Sequence, residues 1–198
     1  VNVTSVPSLS LSANSYTICN GSSQTFTASG TSTYTWTPAT NLDNPNIASP
    51  TANPATTTVY TVSVTANGCA TSSPITLTLT VNSLPTYSLT SNSYTICNGS
   101  SQGLSVSGAS SYTWTPSATL DNPNIANPTA NPATTTVYSV TGTDANSCSN
   151  LTPATVTVTV NPLPTYSLAA NSFTICSGGS QLLSVSGASS YTWTPSAT

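Results

Sequence analysis

Few side chains in this 198-residue chain could take part in acid–base catalysis: there are three aspartates and five cysteines, but no Lys, Arg, His or Glu. General acid–base catalysis needs a titratable group near the working pH, and Asp43, Asp121 and Asp144 lie in separate turns. Ser–His–Asp, Cys–His and Ser–Lys arrangements each lack a member. The sequence therefore predicts that the protein is not an enzyme, has no catalytic residue and uses no cofactor.

The cysteines recur at a regular spacing, since Cys97 follows Cys19 by 78 positions and Cys148 follows Cys69 by 79. Two cysteines per unit indicate a disulfide and an oxidising compartment. We expect the bonds Cys19–Cys69 and Cys97–Cys148, with a partner for Cys176 beyond the end of the chain. Free buried thiols are the alternative, and a zinc site fits less well because two distant cysteines without His cannot complete its shell.

Two LDNPN segments, at 42–46 and 120–124, cluster the oxygen ligands that calcium prefers. With one carboxylate each they are weak metal candidates, and an Asx turn before proline is the alternative interpretation. The candidate ligands are Asp43, Asn44, Asp121 and Asn122.

Four Asn-x-Ser/Thr sequons could carry N-linked sugar, and the abundant Ser and Thr could carry O-linked sugar. The candidate sites are Asn2, Asn20, Asn98 and Asn150.

Sugar binding and ice binding are two further functions that the surface residues could have. The pairs Tyr34/Trp36 and Tyr112/Trp114 could stack on sugars, although alternating aromatics usually belong to a core. The Thr arrays at 76–80 and 155–159 could bind ice, although they also fit a solvated strand face.

The net charge is −3 and only 2% of the residues are charged, which excludes several classes of binding partner. Nucleic-acid binding depends on Lys and Arg, as does binding to anionic lipid, and no apolar run approaches the length of a membrane span. Solubility must then depend on hydroxyls, attached glycans or assembly.

Internal repetition dominates the sequence. The segment SYTICNGSSQ occurs at 15–24 and 93–102 and returns as SFTICSGGSQ at 172–181. YTWTP recurs around Trp36, Trp114 and again near the end, with an extra residue, Asp144, in the second unit. The expected division is a last strand of a preceding repeat at 1–4, repeat one at 5–82, repeat two at 83–161 and the first part of repeat three at 162–198.

Apolar and hydroxyl residues alternate with a period of two in each repeat, which is typical of strands. In ATVTVTV, at 154–160, the valines should face a core and the threonines solvent. About seven short strands separated by turn signals predict an all-β fold of tandem antiparallel sandwiches in an extended rod. The last strand carries no charge to protect an edge.

The Cys-x-Gly-x-Ser, YTWTP, NPTANP, TTTVYSVTGTDANSC and NPLP motifs together resemble the Ig-like and PKD-like repeats of secreted surface proteins in Bacteroidetes-type bacteria. The resemblance covers essentially the whole chain and implies an Ig-like sandwich, secretion to the extracellular space or cell surface, and service as a stalk, fibre or adhesin. Because Cys19 precedes a strand and Cys69 follows a turn, each bond is expected to join loops at one end of a sandwich.

The leading hypothesis is a non-catalytic structural repeat of an extracellular filament or stalk, glycosylated and associated end to end with itself. The alternatives are an adhesin whose loops bind glycans and a surface that faces ice or mineral. A continuous array is favoured over short subunits joined by strand exchange.

Overall fold

The computed structural model describes residues 5–30, 33–71, 73–150 and 152–194. Within these ranges the chain forms nineteen strands and no helix, so the prediction of an all-β fold is confirmed. The predicted strand remnant at 1–4, with Asn2, lies outside the described residues.

Repeat one contains the strands β1 (Leu9–Leu11), β2 (Ser15–Cys19), β3 (Gln24–Thr25), β4 (Ala28–Gly30), β5 (Thr33–Thr37), β6 (Thr51–Ala52), β7 (Thr58–Ala66), β8 (Cys69–Ala70) and β9 (Ile75–Asn82). Repeat two contains β10 (Ser88–Leu89), β11 (Ser93–Cys97), β12 (Gln102–Gly103), β13 (Val106–Ser107), β14 (Ser111–Thr115), β15 (Thr129–Ala130), β16 (Thr136–Thr143) and β17 (Ala154–Asn161). The described part of repeat three contains β18 (Ser167–Leu168) and β19 (Val185–Ser186).

The two complete repeats share one topology. Their main sheets have the orders β2-β9-β7-β5 and β11-β17-β16-β14, with β8 added beside β7 in the first. Short antiparallel pairs form the opposing layer: β1 with β4 and β3 with β6, then β10 with β13 and β12 with β15. Each repeat is therefore a two-layer sandwich around its own core.

The period-two pattern determines which side chains form these cores. In β17, Val156 and Val158 are buried while Thr155 is exposed. Trp114 is also fully buried, and its indole N–H donates to the Ile125 carbonyl at 3.0 Å. Trp36 repeats this arrangement with the Ile47 carbonyl at 3.0 Å. A buried indole cannot stack on a sugar, so the core interpretation is confirmed for the two tryptophans. Tyr112 is buried as well, whereas Tyr34 is half-buried against the core of repeat one.

In each complete repeat one strand pair is parallel, whereas the sequence predicted antiparallel pairs only. β2 runs parallel to β9, with Cys19 opposite Asn82, and β11 runs parallel to β17, with Cys97 opposite Asn161. The last strand of each repeat therefore lies inside its sheet, and the expectation that 154–160 forms an edge is wrong. β2 ends beside the end of β9, and β11 ends beside the end of β17, at what we call the linker end of the repeat. The opposite end, where β7 meets β8 or β16 turns toward β17, is the hairpin end.

Two equivalent buried tyrosines differ in their hydroxyl partners. Tyr138 shares a hydrogen bond with the Thr119 hydroxyl. The counterpart of Thr119 in repeat one is Asn41, and the Tyr60 hydroxyl is buried with no hydrogen-bond partner among the described residues. Burial raises the pKa of Tyr60, because the phenolate would be desolvated.

We therefore expect Tyr60→Phe to leave the stability of repeat one unchanged or to raise it by up to about 1 kcal/mol, since it removes an unpaired buried hydroxyl. Tyr138→Phe should cost about 1 kcal/mol, because it breaks a hydrogen bond. Urea denaturation of the two variants measures the difference. Thr119→Val in the Tyr138→Phe background is the control and should recover part of the loss; a larger cost at Tyr60 than at Tyr138 would contradict the prediction.

Candidate functional site

The site with the most distinctive chemistry is the junction between repeats one and two. Cys19 and Cys148 form a disulfide with their Cα atoms 5.5 Å apart and 129 positions apart in sequence. Cys19 ends β2 at the linker end of repeat one, and Cys148 is buried in the loop between β16 and β17, at the hairpin end of repeat two. The bond therefore joins consecutive repeats.

This pairing shows that the predicted bonds Cys19–Cys69 and Cys97–Cys148 are wrong. Cys19 lies opposite Asn82, whereas Cys69 pairs with Ala66 beyond the other end of β9. The seven-residue rise from Ile75 to Asn82 alone separates the two ends by about 23 Å. Disulfides require Cα atoms within about 7 Å, so the two cysteines of one repeat cannot meet.

The loop that presents Cys148 is shaped by the extra aspartate of repeat two. One carboxylate oxygen of Asp144 accepts hydrogen bonds from the backbone N–H groups of Asn146 and Cys148, each at 2.8 Å. Repeat one has no counterpart of Asp144, and its β7–β8 turn instead uses Asn67 and Gly68, both at positive φ. The sequence singles out Asp144 only as an insertion, whereas the structure shows that it positions a disulfide cysteine.

The linker is bound to repeat two close to this loop. The Tyr87 hydroxyl donates to the Gly142 carbonyl at 2.6 Å and accepts from the Gly142 N–H at 2.8 Å and the Asn150 N–H at 3.2 Å. The Asn150 side-chain N–H₂ donates to the carbonyl of Pro85, a buried linker residue, at 3.1 Å. These bonds fix the direction in which the linker leaves repeat two, next to the disulfide.

The turn after the first cysteine has the same geometry in both complete repeats. The Asn20 N–H donates to the Asn82 carbonyl at 2.9 Å, and the Asn98 N–H donates to the Asn161 carbonyl at 2.8 Å. A groove of about 250 Å³ at the first junction is lined by Cys19, Asn20, Gly21, Ser22, Leu84, Ser147 and Ser149. Cys97 is exposed at the equivalent linker end of repeat two, and Cys176 is exposed in repeat three. A partner for Cys176 beyond the chain stays a prediction.

The calcium candidates lie in turns whose carboxylates bind backbone N–H groups. Asp43 accepts from Asn44 at 2.7 Å and from Thr51 at 2.8 Å. Asp121 accepts in the same way from Asn122 and Thr129, each at 2.7 Å. The hydrogen bond from the Thr129 backbone lowers the pKa of Asp121, since it favours the ionised form.

The second asparagine of each segment also forms a turn: Asn44 accepts from Asn46, and Asn122 accepts from Asn124, each at 2.9 Å. Both segments therefore adopt Asx turns. Among the described residues there is no group of three or more His, Cys, Asp or Glu side chains able to hold a metal ion, and calcium binding at these turns stays a prediction.

The candidate glycosylation sites differ in accessibility. Asn20 and Asn98 are exposed beside the cysteines at the linker ends. Asn150 is half-buried, and its side-chain N–H₂ is already donated to the Pro85 carbonyl. Sugar on Asn150 would have to displace that bond, so Asn20 and Asn98 are the better acceptors, and their glycosylation stays a prediction. No helix in the described ranges could cross a membrane.

Comparison with known proteins finds no matching family model and no matching curated protein. Solved structures of sandwich domains do match. A variant of titin domains I67–I69 is 16% identical over 82% of this chain and 68% of its own, with a TM-score of 0.46. Human protocadherin-24 EC1-2 is 13% identical over 82% of this chain and 100% of its own, with a TM-score of 0.42. The fibronectin(III)-like modules of Clostridium thermocellum CbhA are 15% identical over 78% of this chain and 95% of their own, with a TM-score of 0.34.

Each complete repeat is an Ig-like β-sandwich. The sheet orders establish this fold, and the disulfide supplies a covalent link between one sandwich and the next.

Proposed function

We propose that this chain is a structural segment of an extracellular filament or cell-surface stalk in which consecutive Ig-like repeats are joined by disulfides. The observation that carries the proposal is the bond between Cys19 and Cys148, which crosses the junction of two domains. A bond inside one domain would stabilise that domain alone. A bond between neighbours resists separation and bending of the array, which are the demands made on a stalk.

Other features support an extracellular, non-catalytic role. Disulfides persist in oxidising compartments, and the motifs resemble repeats of secreted surface proteins in Bacteroidetes-type bacteria. The chain offers no His, Lys or Arg for catalysis or for binding phosphate. The aromatic pairs suggested as a sugar platform have their tryptophans in the cores of repeats one and two, which favours a structural role over glycan binding through those residues.

Two covalent connections limit the motion between repeats. The backbone crosses the junction through the Pro85-containing linker, and the disulfide crosses it a second time. A single flexible connection would leave the domains free to reorient, whereas two connections leave mainly rotation about the line that joins them. The repeats should therefore form an extended rod with end-to-end contacts.

Negative-stain microscopy of native material, with and without a reductant, tests this function. We expect thin filaments with an axial repeat of about 35–40 Å, the length of an eight-residue strand plus a short linker, or twice that. Reduction should lower their persistence length at least twofold without dissolving them. A soluble, unassembled monomer in both conditions, or binding to a glycan array with no filaments, would contradict the proposal.

A further inference from the structure

The two cysteines of the junction disulfide differ in their access to solvent. Cys19 is half-buried and lines the groove of about 250 Å³ between repeats one and two. Cys148 is 0% exposed and is not among the residues that line this groove. Thiol–disulfide exchange begins when a thiolate attacks one sulfur of the bond, so its rate depends on access to that sulfur. In the folded chain a dissolved thiol therefore reaches the bond at Cys19.

The groove beside Cys19 is polar and uncharged. Among the described residues, those that line it are serine, asparagine, glycine, leucine and the cysteine itself. The Asp144 carboxylate belongs to the neighbouring loop and is not part of this lining. A thiolate is an anion, and a carboxylate in its path would repel it. The groove therefore admits a small thiolate to Cys19 without repulsion from its walls.

The loop that carries Cys148 does not depend on the disulfide for its shape. The Asp144 carboxylate accepts from the backbone N–H groups of Asn146 and Cys148, and the Asp144 N–H donates to the Cys148 carbonyl at 3.0 Å. All three bonds involve backbone groups of the loop and none involves a sulfur atom. Cleavage of the disulfide should therefore leave Cys148 where it was.

The linker also stays in place on both sides of the junction. The Asn20 N–H binds the carbonyl of Asn82, where β9 ends, and Asn150 binds the carbonyl of Pro85 on repeat two. Only residues 83–84 lie between these two fixed points. Three residue steps span at most about 11 Å, so the separated cysteines stay close to each other. Such proximity gives Cys148 a high effective concentration at Cys19.

We propose that Cys19 is the site at which a small-molecule thiol opens the junction, and that Cys148 is the nucleophile that closes it again. The thiolate attacks the Cys19 sulfur and forms an S–S bond with it. The bond to Cys148 breaks, and its electron pair leaves on the Cys148 sulfur, which takes a proton from water. On closure the Cys148 thiolate attacks the Cys19 sulfur and expels the small thiolate. Opening and closing together cause no net oxidation or reduction.

Reduced glutathione is the probe, and the sites of its addition are read by mass spectrometry. Thiols that react before reduction are capped with N-ethylmaleimide, the chain is treated briefly with glutathione, and the reaction is stopped with an isotopically heavier maleimide. We expect glutathione on Cys19 and the heavy maleimide on Cys148, in about tenfold or greater excess over the reverse, because only Cys19 is accessible. The excess should disappear in the urea-denatured chain. Equal addition to both cysteines in the native chain, or the same excess in urea, would overturn the proposal.

A matched pair of variants tests the route through the groove. Ser22 lines the groove, and its N–H donates to the Cys19 carbonyl at 2.9 Å. Ser100 has the same position in repeat two, where its N–H donates to the Cys97 carbonyl at 3.0 Å. Ser22→Trp should slow the addition of glutathione to Cys19 by about fivefold or more, since the indole obstructs access to the sulfur. Ser100→Trp should leave the rate unchanged, and an unchanged rate in Ser22→Trp would overturn the route.

The closing step is tested at Asp144, a positioning residue for Cys148. In a glutathione redox buffer, Asp144→Ala should lower the ratio of closed bond to mixed disulfide by about fivefold or more, because Cys148 loses its fixed place near Cys19. Asp144→Asn keeps an oxygen that accepts from the two N–H groups and should restore most of the ratio. An unchanged ratio in Asp144→Ala would overturn the role of the loop. These measurements need no filaments, so their outcome is independent of the proposed function.

Discussion

A chain pulled from its two ends should extend about 430–460 Å less when the Cys19–Cys148 bond is intact than when it is reduced, since the bond bypasses 129 positions at about 3.3–3.6 Å each. Force entering at residue 1 reaches Cys19, crosses the disulfide and leaves from Cys148. Most of repeats one and two lies between these residues and cannot be extended while the bond is intact. Single-molecule force spectroscopy with and without a reductant measures this difference as released contour length.

Matched cysteine variants separate the effect of this bond from other effects of reduction. Cys19→Ser should behave in oxidising buffer as the reduced chain does. Cys97→Ser changes a cysteine at the equivalent position of repeat two, outside the bond, and should retain the short extension. Equal extension of the parent chain under both conditions would show that the bond between repeats is not formed in solution.

The bond between repeats also limits how far an array of small domains can extend under tension. A sandwich of about 80 residues buries a modest core, and tension applied across it would favour unfolding. The disulfide limits the length of chain that tension can extend to the segments outside residues 19–148, although β2 and β17, which lie in the sheets of repeats one and two, stay in the load path. Even if tension unfolds a core in such an array, the array cannot lengthen by the bypassed segment while the bond is intact.

The strands and cores could be predicted from sequence because they depend on local alternation. Val156 and Val158 face inward because every second residue of a strand lies on the same face. The Asx turns at Asn44 and Asn122 could also be anticipated, since an asparagine before proline favours them locally. These features need no knowledge of how distant segments pair.

The disulfide could not be predicted in this way, because it depends on the direction of one pairing. Had β2 run antiparallel to β9, Cys19 would lie at the hairpin end, and the bond to Cys69 would be geometrically reasonable. The parallel register instead puts Cys19 opposite Asn82, beside the linker. Equal spacing of cysteines in two repeats fits bonds within repeats and bonds between neighbours equally well. The sequence does mark one difference between the two hairpins, the insertion of Asp144 four positions before Cys148.

Replacing the tryptophan of the repeated YTWTP motif should lower the stability of repeat two far more at Trp114 than at Trp193. Trp114→Ala should destabilise repeat two by about 3–5 kcal/mol, because it removes a fully buried indole and leaves a cavity. It also leaves the Ile125 carbonyl without its indole donor. Trp193→Ala should change the stability of repeat two by less than about 0.5 kcal/mol, as for a surface substitution, because that ring is 46% exposed.

Hydrogen exchange of backbone amides in β16 and β17 measures the difference. A loss of 3–5 kcal/mol should speed exchange through global unfolding by about two to three and a half orders of magnitude. Trp193→Ala should leave these amides nearly as protected as in the parent chain.

Trp36→Ala is the matched variant in repeat one and should speed exchange in β7 and β9 in the same way. Trp36 is also buried, and its indole N–H also lies 3.0 Å from a backbone carbonyl oxygen. If Trp193→Ala were as damaging to β16 and β17 as Trp114→Ala, the third tryptophan would have to be part of a core with them. Identical sequence around the three rings would then imply identical packing, whereas in the structure Trp36 and Trp114 are buried and Trp193 is exposed.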